Sequence, residues 1–133
     1  MLLILSLTVL GAQSAERPEE SIDDEWEKIF DVDEYDETWL VGDTRNDGRI
    51  DYALKRDDRG WKRFEAVDFN GDGLMDDFYF YSNGVLDRQE LDTNFDGAID
   101  LWIHMHDGAR VSGYERDTNY DGNVDLVKEF GDS

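Results

Sequence analysis

Three aspartates and one asparagine recur with fixed spacing in the nonapeptide DTNFDGAID, which runs from Asp92 to Asp100. Their side-chain oxygens stand at positions 1, 3, 5 and 9, and the glycine at position 6 permits a sharp turn. A tightly curled loop of this kind directs its oxygens toward one point. Ca²⁺ takes about six to eight oxygen ligands in a flexible arrangement, whereas Mg²⁺ demands a tighter octahedron. The spacing therefore predicts a cation-binding loop and favours Ca²⁺.

The nonapeptide occurs four times at an almost constant period. The copies, loops one to four, begin at Asp43, Asp68, Asp92 and Asp117, with spacings of 25, 24 and 25 residues. Each fits D-x-x-x-D-G-x-φ-D, in which φ is Ile, Met or Val. Acidic turns without metal would explain one such loop. They do not explain three carboxylates packed together in three further copies, where a bound divalent cation would offset the repulsion.

Loops two, three and four retain every expected ligand, including a backbone carbonyl at position 7. The predicted ligands are Asp68, Asn70, Asp72, Leu74 and Asp76 in loop two, Asp92, Asn94, Asp96, Ala98 and Asp100 in loop three, and Asp117, Asn119, Asp121, Asn123 and Asp125 in loop four. Loop one carries Arg45 at position 3, and a guanidinium has no lone pair to donate. Two alternatives stay open there: a metal on Asp43, Asp47 and Asp51, or a metal-free loop in which the guanidinium bridges one of these carboxylates.

Turn signals divide the spacers between the loops. DDRG, SNG and HDG stand near the middle of the three spacers, and Asn-Gly and Asp-Gly favour two-residue hairpin turns. A short first strand is expected near residues 38–42. The sequence therefore predicts a mainly β fold, an antiparallel up-and-down meander of about eight strands built from 24–25-residue hairpin repeats. Such a sheet either stays open or closes on itself.

Alternation with a period of two residues assigns the faces of the predicted sheet. The face expected to form the main apolar surface includes Leu54, Tyr79, Tyr81, Leu101 and Ile103. The opposite face carries the aromatic residues Phe78, Phe80 and Trp102. We expect these three to pack beneath an N-terminal helix or a second layer; if they are exposed, they mark a surface for a partner.

The N-terminal part of the chain reads as two segments that precede the repeat domain at residues 38–133. Residues 1–15 are typical of a signal peptide, because an apolar run is followed by small residues. A buried N-terminal strand or helix is the alternative. Residues 16–37 form a polar segment with a short helix at about 22–30, where Ile22, Trp26, Ile29 and Phe30 make one apolar stripe.

Composition limits the location and the function. The chain has no cysteine, which excludes disulfides, thiolate metal sites and a lipid-anchored cysteine. We expect a secreted or periplasmic protein without membrane insertion after signal cleavage. The net charge of −21, from 34 acidic and 13 basic residues, argues against nucleic acid as a partner.

Signals for an enzyme are absent from the sequence. It contains no nucleophile elbow, phosphate-binding loop or HExxH motif. His104 and His106 alternate on one predicted strand, but no third histidine exists to complete a nitrogen-ligand set. We expect two polar side chains on a solvated face and no enzymatic activity.

The loops resemble known calcium loops. Their first positions look like D-x-[DN]-x-[DN]-G of EF-hands and dockerins, but position 12, where those families place an acidic ligand on a helix, is occupied by Leu54, Tyr79, Ile103 or Lys128. The nine residues are more similar to D-x-[DN]-x-D-G-x-x-D, which joins two strands in FG-GAP-type β-propeller blades. The segment FYFYSNGVLDRQE also resembles MORN-like hairpin repeats. Taken together, the chain looks like exported bacterial repeat proteins with EF-hand-like loops between β-hairpins.

Two functions follow from these observations. The first is a calcium-binding structural repeat module, in which the metal ions stabilise the loops between hairpins. The second is a binding or adhesion module that calcium makes rigid, with a protein or a glycan as its partner.

Overall fold

The computed structural model describes residues 28–131, which form an open antiparallel β-sheet whose strands follow chain order from edge to edge. The strands are β1 (Leu40–Gly42), β2 (Tyr52–Arg56), β3 (Lys62–Val67), β4 (Asp77–Ser82), β5 (Val85–Leu91), β6 (Leu101–His106), β7 (Arg110–Arg116) and β8 (Leu126–Glu129). The predicted mainly β, up-and-down meander of eight strands is confirmed. The sheet does not close on itself, so β1 and β8 are its edges.

Tight turns and nonapeptides lie at opposite ends of the sheet. Tight turns connect β2 to β3, β4 to β5 and β6 to β7. At Asn83 and Gly84 φ is 53° and 77°, and at Asp107 and Gly108 it is 55° and 70°. Positive φ at two successive residues is what such tight hairpin turns need, which explains the Asn-Gly and Asp-Gly pairs. The four nonapeptides connect the remaining strand pairs, so all of them lie at one end, the loop end.

The core lies on one face of β2–β4, beneath residues 28–39, which we call the covering segment. Phe30 of this segment meets the ring of Phe78 edge-on at 5.0 Å between centroids, and Trp39 meets Phe64 at 6.5 Å. The buried members of the core are Val32, Ala53, Phe64, Ala66, Met75, Phe78 and Phe80. The covering segment therefore supplies the second layer that an open sheet needs to bury one face.

The face that alternation assigned to the main apolar surface is not the one that carries this core. Phe78 and Phe80 lie on the opposite face and are buried, as expected of residues beneath a second layer. Tyr79 and Tyr81 of the other face stay partly exposed. Counting apolar residues could not settle the choice, because tyrosine tolerates either environment and the covering segment binds only one face.

The predicted N-terminal helix at 22–30 lies mostly outside the described residues, as does the predicted signal peptide. Its last three residues, 28–30, are described and are not helical. The described part of the chain contains one helical element, a 3-10 turn at Val32–Glu34. Asp31 caps this turn, and its carboxylate accepts the Asp33 N–H at 2.9 Å. Within residues 28–131, no helix is long and apolar enough to cross a membrane.

Two backbone hydrogen bonds fasten the covering segment to loop two. The Val32 N–H donates to the Gly73 carbonyl at 3.1 Å, and the Met75 N–H donates to the Phe30 carbonyl at 2.7 Å. These bonds flank an antiparallel bridge between Asp31 and Leu74. Met75, at position 8 of the loop, is fully buried as a result.

Met75→Ala is expected to lower the free energy of unfolding by about 2–5 kcal/mol, because it leaves a cavity between loop two and the covering segment. Val124 occupies the same position in loop four but is 41% exposed. Val124→Ala is therefore the matched control, with an expected loss below about 1 kcal/mol. Urea denaturation of both variants measures the difference, and equal losses would contradict the assigned core.

Candidate metal centre

The four nonapeptides form a continuous row at the loop end of the sheet. The N–H at position 1 of each later loop donates to the carbonyl at position 9 of the loop before it. The bonds run from Asp68 to Asp51 at 3.0 Å, from Asp92 to Asp76 at 2.8 Å and from Asp117 to Asp100 at 2.9 Å. These six aspartates are 1–3% exposed. The row therefore contains buried carboxylic groups in every loop.

Within each loop, the carboxylate at position 1 organises the backbone. In loop three, Asp92 accepts the N–H groups of Asp96 at 3.1 Å and Gly97 at 2.7 Å. Asp43 and Asp117 accept the N–H groups of positions 5 and 6 in the same manner, whereas Asp68 accepts those of positions 4 and 6. Glycine at position 6 has φ of 89–94° in all four loops, an angle that side chains other than glycine rarely adopt. The predicted sharp turn is thus a property of each loop.

The carboxylates at positions 5 and 9 complete this closure. Position 5 accepts the N–H of position 7, for example Asp96 from Ala98 at 3.0 Å. The same bond joins Asp72 to Leu74 and Asp121 to Asn123. Position 9 accepts the N–H of position 2, as Asp100 does from Thr93 at 2.8 Å. Because a carboxylate has about four lone-pair sites, these bonds leave capacity for a cation.

Loop two brings its three carboxylates together. Asp68, Asp72 and Asp76 each offer an oxygen within 4.8 Å of the other two. Within residues 28–131 no other three acidic or histidine side chains bring oxygen or nitrogen atoms this close together, so the predicted carboxylates of loops three and four are less tightly gathered. Asn70 turns its amide nitrogen toward Asp72 at 3.2 Å. Its carbonyl oxygen accepts the Asp72 N–H at 3.2 Å, so it would have to turn to bind a cation.

The pKa at position 9 is raised in loop two, whereas it is lowered in loops one and four. Burial raises the pKa of the Asp76 carboxyl to about 6, and the neighbouring Asp68 and Asp72 charges act in the same direction. In loop four, hydrogen bonds from the backbone and hydroxyl of Thr118 instead lower the pKa of Asp125. Position 2 is threonine in loops one, three and four but Phe69 in loop two. Asp76 therefore lacks a hydroxyl donor and has more to gain from a cation.

Loop one contains its own cation. The guanidinium of Arg45 lies 3.6 Å from the Asp51 carboxylate, which is one of the bridges that the sequence allowed. Its other terminal nitrogen donates to the Asp68 carbonyl at 2.8 Å. The Arg49 guanidinium lies against Gly73, where an added Cβ would clash with it. Arginine side chains of loop one thus reach loop two, an arrangement that the spacing of the repeats does not reveal.

The pairing of the covering segment with loop two was also missed at the level of sequence. Only the apolar residues Ile29 and Phe30 gave a signal, and they indicated a helix. The pairing uses the Gly73 carbonyl and the Met75 N–H, which leaves the Leu74 carbonyl, the predicted ligand at position 7, outside these bonds. Loop two is therefore held by a neighbour on each side and still retains its predicted ligands.

The two histidines do not form a common site with a third ligand. The His104 ring nitrogen lies 2.8 Å from the Glu115 carboxylate on the adjacent strand. His106 lies 3.2 Å from Asp107, the next residue in the chain. Both side chains are partly exposed. These contacts describe two separate surface pairs.

No protein-family model and no curated protein match the sequence. Among solved structures, the fold is similar to a chain in the crystal structure of accessory secretory protein 1, 2 and 3 of Streptococcus pneumoniae, with a TM-score of 0.51 and 14% identity. The similarity covers 77% of this chain but only 19% of that chain. At this identity the comparison concerns the fold alone.

The ionisation of Asp76 predicts a pH effect in the metal-free protein. Because its folded pKa is raised from 3.8 to about 6, folding favours the protonated carboxyl, and this stabilisation is lost as the pH rises from about 4 to 6. Asp76→Asn should therefore unfold at higher temperature than the parent protein above pH 6 in chelator, by a free energy of up to about 3 kcal/mol.

Asp125→Asn is the matched control, because it changes the same loop position where the pKa is lowered. It should unfold at lower temperature than the parent at pH 7. Thermal melts from pH 4 to 8 in chelator test both variants. A shift of the same sign in the two would contradict the assignment.

Proposed function

We propose that this protein is an exported, calcium-binding structural repeat module whose ions stabilise the loops between β-hairpins. The observation that carries the proposal is the group of Asp68, Asp72 and Asp76, each with an oxygen within 4.8 Å of the others. Asp68 and Asp76 are buried and Asp72 is exposed. Carboxylates this close repel one another, and a divalent cation would convert that repulsion into attraction. Calcium fits because the donors are carboxylate, amide and backbone oxygens.

The repeat of 24–25 residues extends the proposal from loop two to loops three and four. As in loop two, their position-1 carboxylates accept the N–H of a position-6 glycine with positive φ, and their predicted ligand types are the same. The backbones of loops three and four are already closed by hydrogen bonds, so only their side chains would have to move to gather around an ion. We assign three ions to loops two to four and leave loop one to Arg45.

The role of the ions is structural. Each ion bound only by the folded state adds RT ln(1 + [Ca²⁺]/Kd) to stability. The predicted signal peptide supports a secreted or periplasmic location, where calcium can be plentiful, and no step in this proposal requires catalysis. Affinity in extracellular modules is often weak, with Kd of about 0.1–1 mM.

A second candidate is a calcium-rigidified module that binds a protein or glycan. Tyrosines on the face away from the covering segment favour it: Tyr79 and Tyr81 are partly exposed, and their hydroxyls donate to Asp77 at 2.7 Å and Glu65 at 2.6 Å. Hydroxyls held in this way fix the rings across the sheet. Tyrosine is enriched in interfaces, because it combines an apolar ring with a polar end.

Calcium is expected to raise the melting temperature of the whole protein. At 1 mM calcium and a Kd of about 0.1 mM, one ion adds about 1.4 kcal/mol, which corresponds to roughly 5 °C or more for a domain of this size. Thermal melts with 1 mM calcium and with excess chelator measure the shift. Magnesium at the same concentration is the control, and identical midpoints in all three conditions would refute the proposal.

Single substitutions should change the calcium stoichiometry one ion at a time. Asp96→Ala and Asp121→Ala remove position 5 of loops three and four, so titration calorimetry should find one ion fewer in each. Arg45→Asn restores an oxygen at position 3 of loop one and removes a cation, so it should add one ion. Arg56→Asn also removes an arginine but lies outside the loops, and its stoichiometry should not change. Equal stoichiometry in all four variants would contradict the assigned ligands.

A further inference from the structure

The two edges of the sheet present unpaired strands with exposed apolar side chains. Leu40 and Val41 of β1 are 59% and 40% exposed, and Leu126 and Val127 of β8 are 40% and 59% exposed. Within residues 28–131, β1 pairs with β2 alone and β8 with β7 alone. An edge strand offers a row of backbone donors and acceptors to another chain unless it is blocked.

The two edges belong to different strand classes. Strands directly after a nonapeptide, which we call leading strands, are β2, β4, β6 and β8; strands directly before one, the return strands, are β1, β3, β5 and β7. Each of the first three leading strands pairs through a tight turn with the return strand that follows it. Within residues 28–131, β8 is a leading strand that no return strand follows, and β1 is a return strand that no leading strand precedes.

The register between these two classes is constant. The residue directly after a nonapeptide always pairs with the residue directly before the next one. The three pairs are Tyr52 with Val67, Asp77 with Leu91 and Leu101 with Arg116. The same rule applied to β8 and to β1 of a second copy places Leu126 opposite Gly42, Val127 opposite Val41 and Lys128 opposite Leu40.

The row of loops would continue across such a contact. Inside the chain, the N–H at position 1 of each later loop donates to the carbonyl at position 9 of the loop before it. In the contact, the Asp43 N–H of the second copy would donate to the Asp125 carbonyl. The strand pairing of the sheet and the pairing of the loops therefore extend together in one geometry.

Charge complementarity supports a second copy as the occupant. In the same register, Glu129 lies opposite Trp39 of the second copy. The Lys55 ammonium lies 5.1 Å from the centroid of the Trp39 ring, so the Glu129 carboxylate would approach a lysine from the other copy. The net charge of −21 and the short edge strands act against association, which makes the contact weak and dependent on salt.

We propose that β8 of one copy pairs with β1 of a second copy in this register, so that copies associate head to tail. Because the contact joins two different edges, each of the two copies keeps one edge free for another copy. Further copies would add in the same way and form a chain, unless the rotation from one copy to the next closes a ring. The proposal concerns strand pairing and does not require the loops to bind calcium.

Disulfide trapping tests the register, because the protein has no cysteine of its own. In the proposed contact, the bond from the position-1 N–H to the position-9 carbonyl lies beside the pair of Leu126 and Gly42, which is therefore a non-hydrogen-bonded pair. Such pairs alternate along antiparallel strands, so Lys128 and Leu40, two residues further, also form a non-hydrogen-bonded pair with close side chains. Leu40→Cys combined with Lys128→Cys should give a ladder of covalent dimers, trimers and larger species on mild oxidation. The matched control is Leu40→Cys with Val127→Cys, whose side chains would point to opposite faces.

The expected result is a rate of ladder formation at least tenfold faster for the first pair than for the control, at 0.2 mM protein with 1 mM calcium. Equal rates would show random collision and overturn the proposal. Rapid dimers from Lys128→Cys alone would also overturn it, since they indicate two β8 edges paired with each other.

Sedimentation equilibrium of the unmodified protein gives an independent measurement. The weight-average mass should rise with concentration from about 20 µM to 1 mM and should rise further in 0.3 M salt. Val41→Lys with Val127→Lys places charges on both edges and should hold the mass at that of the monomer. A constant monomer mass for the unmodified protein over the whole range would overturn the proposal.

Discussion

Burial of carboxylates at the loop end is the constraint on which the structure depends. Six aspartates in one row are almost inaccessible to solvent, and a buried charge is costly unless it is hydrogen-bonded or paired. The chain meets this cost locally with backbone N–H groups that converge on each carboxylate. Threonine hydroxyls at position 2 and the Arg45 guanidinium add to them. Where these donors are fewest, around Asp76, the carboxyl resists ionisation and a cation has the largest effect.

Stability is distributed unevenly along the sheet. The covering segment lies over β2–β4 and is bonded to loop two, so the buried apolar residues are concentrated there. Toward the other edge, every residue of β8 is exposed. With little apolar burial, this half depends more on backbone pairing and on the loops. Because of this asymmetry, loop two is packed against the covering segment, whereas loop four is closed by its own hydrogen bonds.

The sequence predicted the strand meander well because its signals are local. Asn83 and Asp107 each precede a glycine in a tight turn, and the nonapeptides mark the connections at the other end. Interactions within a few residues determine such turns. Position 1 and position 6 of each loop follow for the same reason, since an aspartate that accepts the N–H of a glycine five residues later needs no distant partner.

The choice of the buried face could not be read from alternation. Both faces carry large apolar or aromatic side chains, and tyrosines such as Tyr81 satisfy their hydroxyls on the partly exposed side. The covering segment decides the matter by placing Phe30 on Phe78, a contact between residues 48 positions apart in the chain. The reach of Arg45 to the carbonyl of Asp68 is equally non-local.

The sequence by itself therefore determined the four loops, their candidate ligands and the order of the strands, because each rests on short-range spacing. Only the tertiary structure decided that the three carboxylates of loop two lie closest together. It also decided that this loop is pressed between the covering segment and the arginines of loop one. Those neighbours come from separate parts of the chain, and four nearly identical nonapeptides become unequal only when folding places different groups beside them.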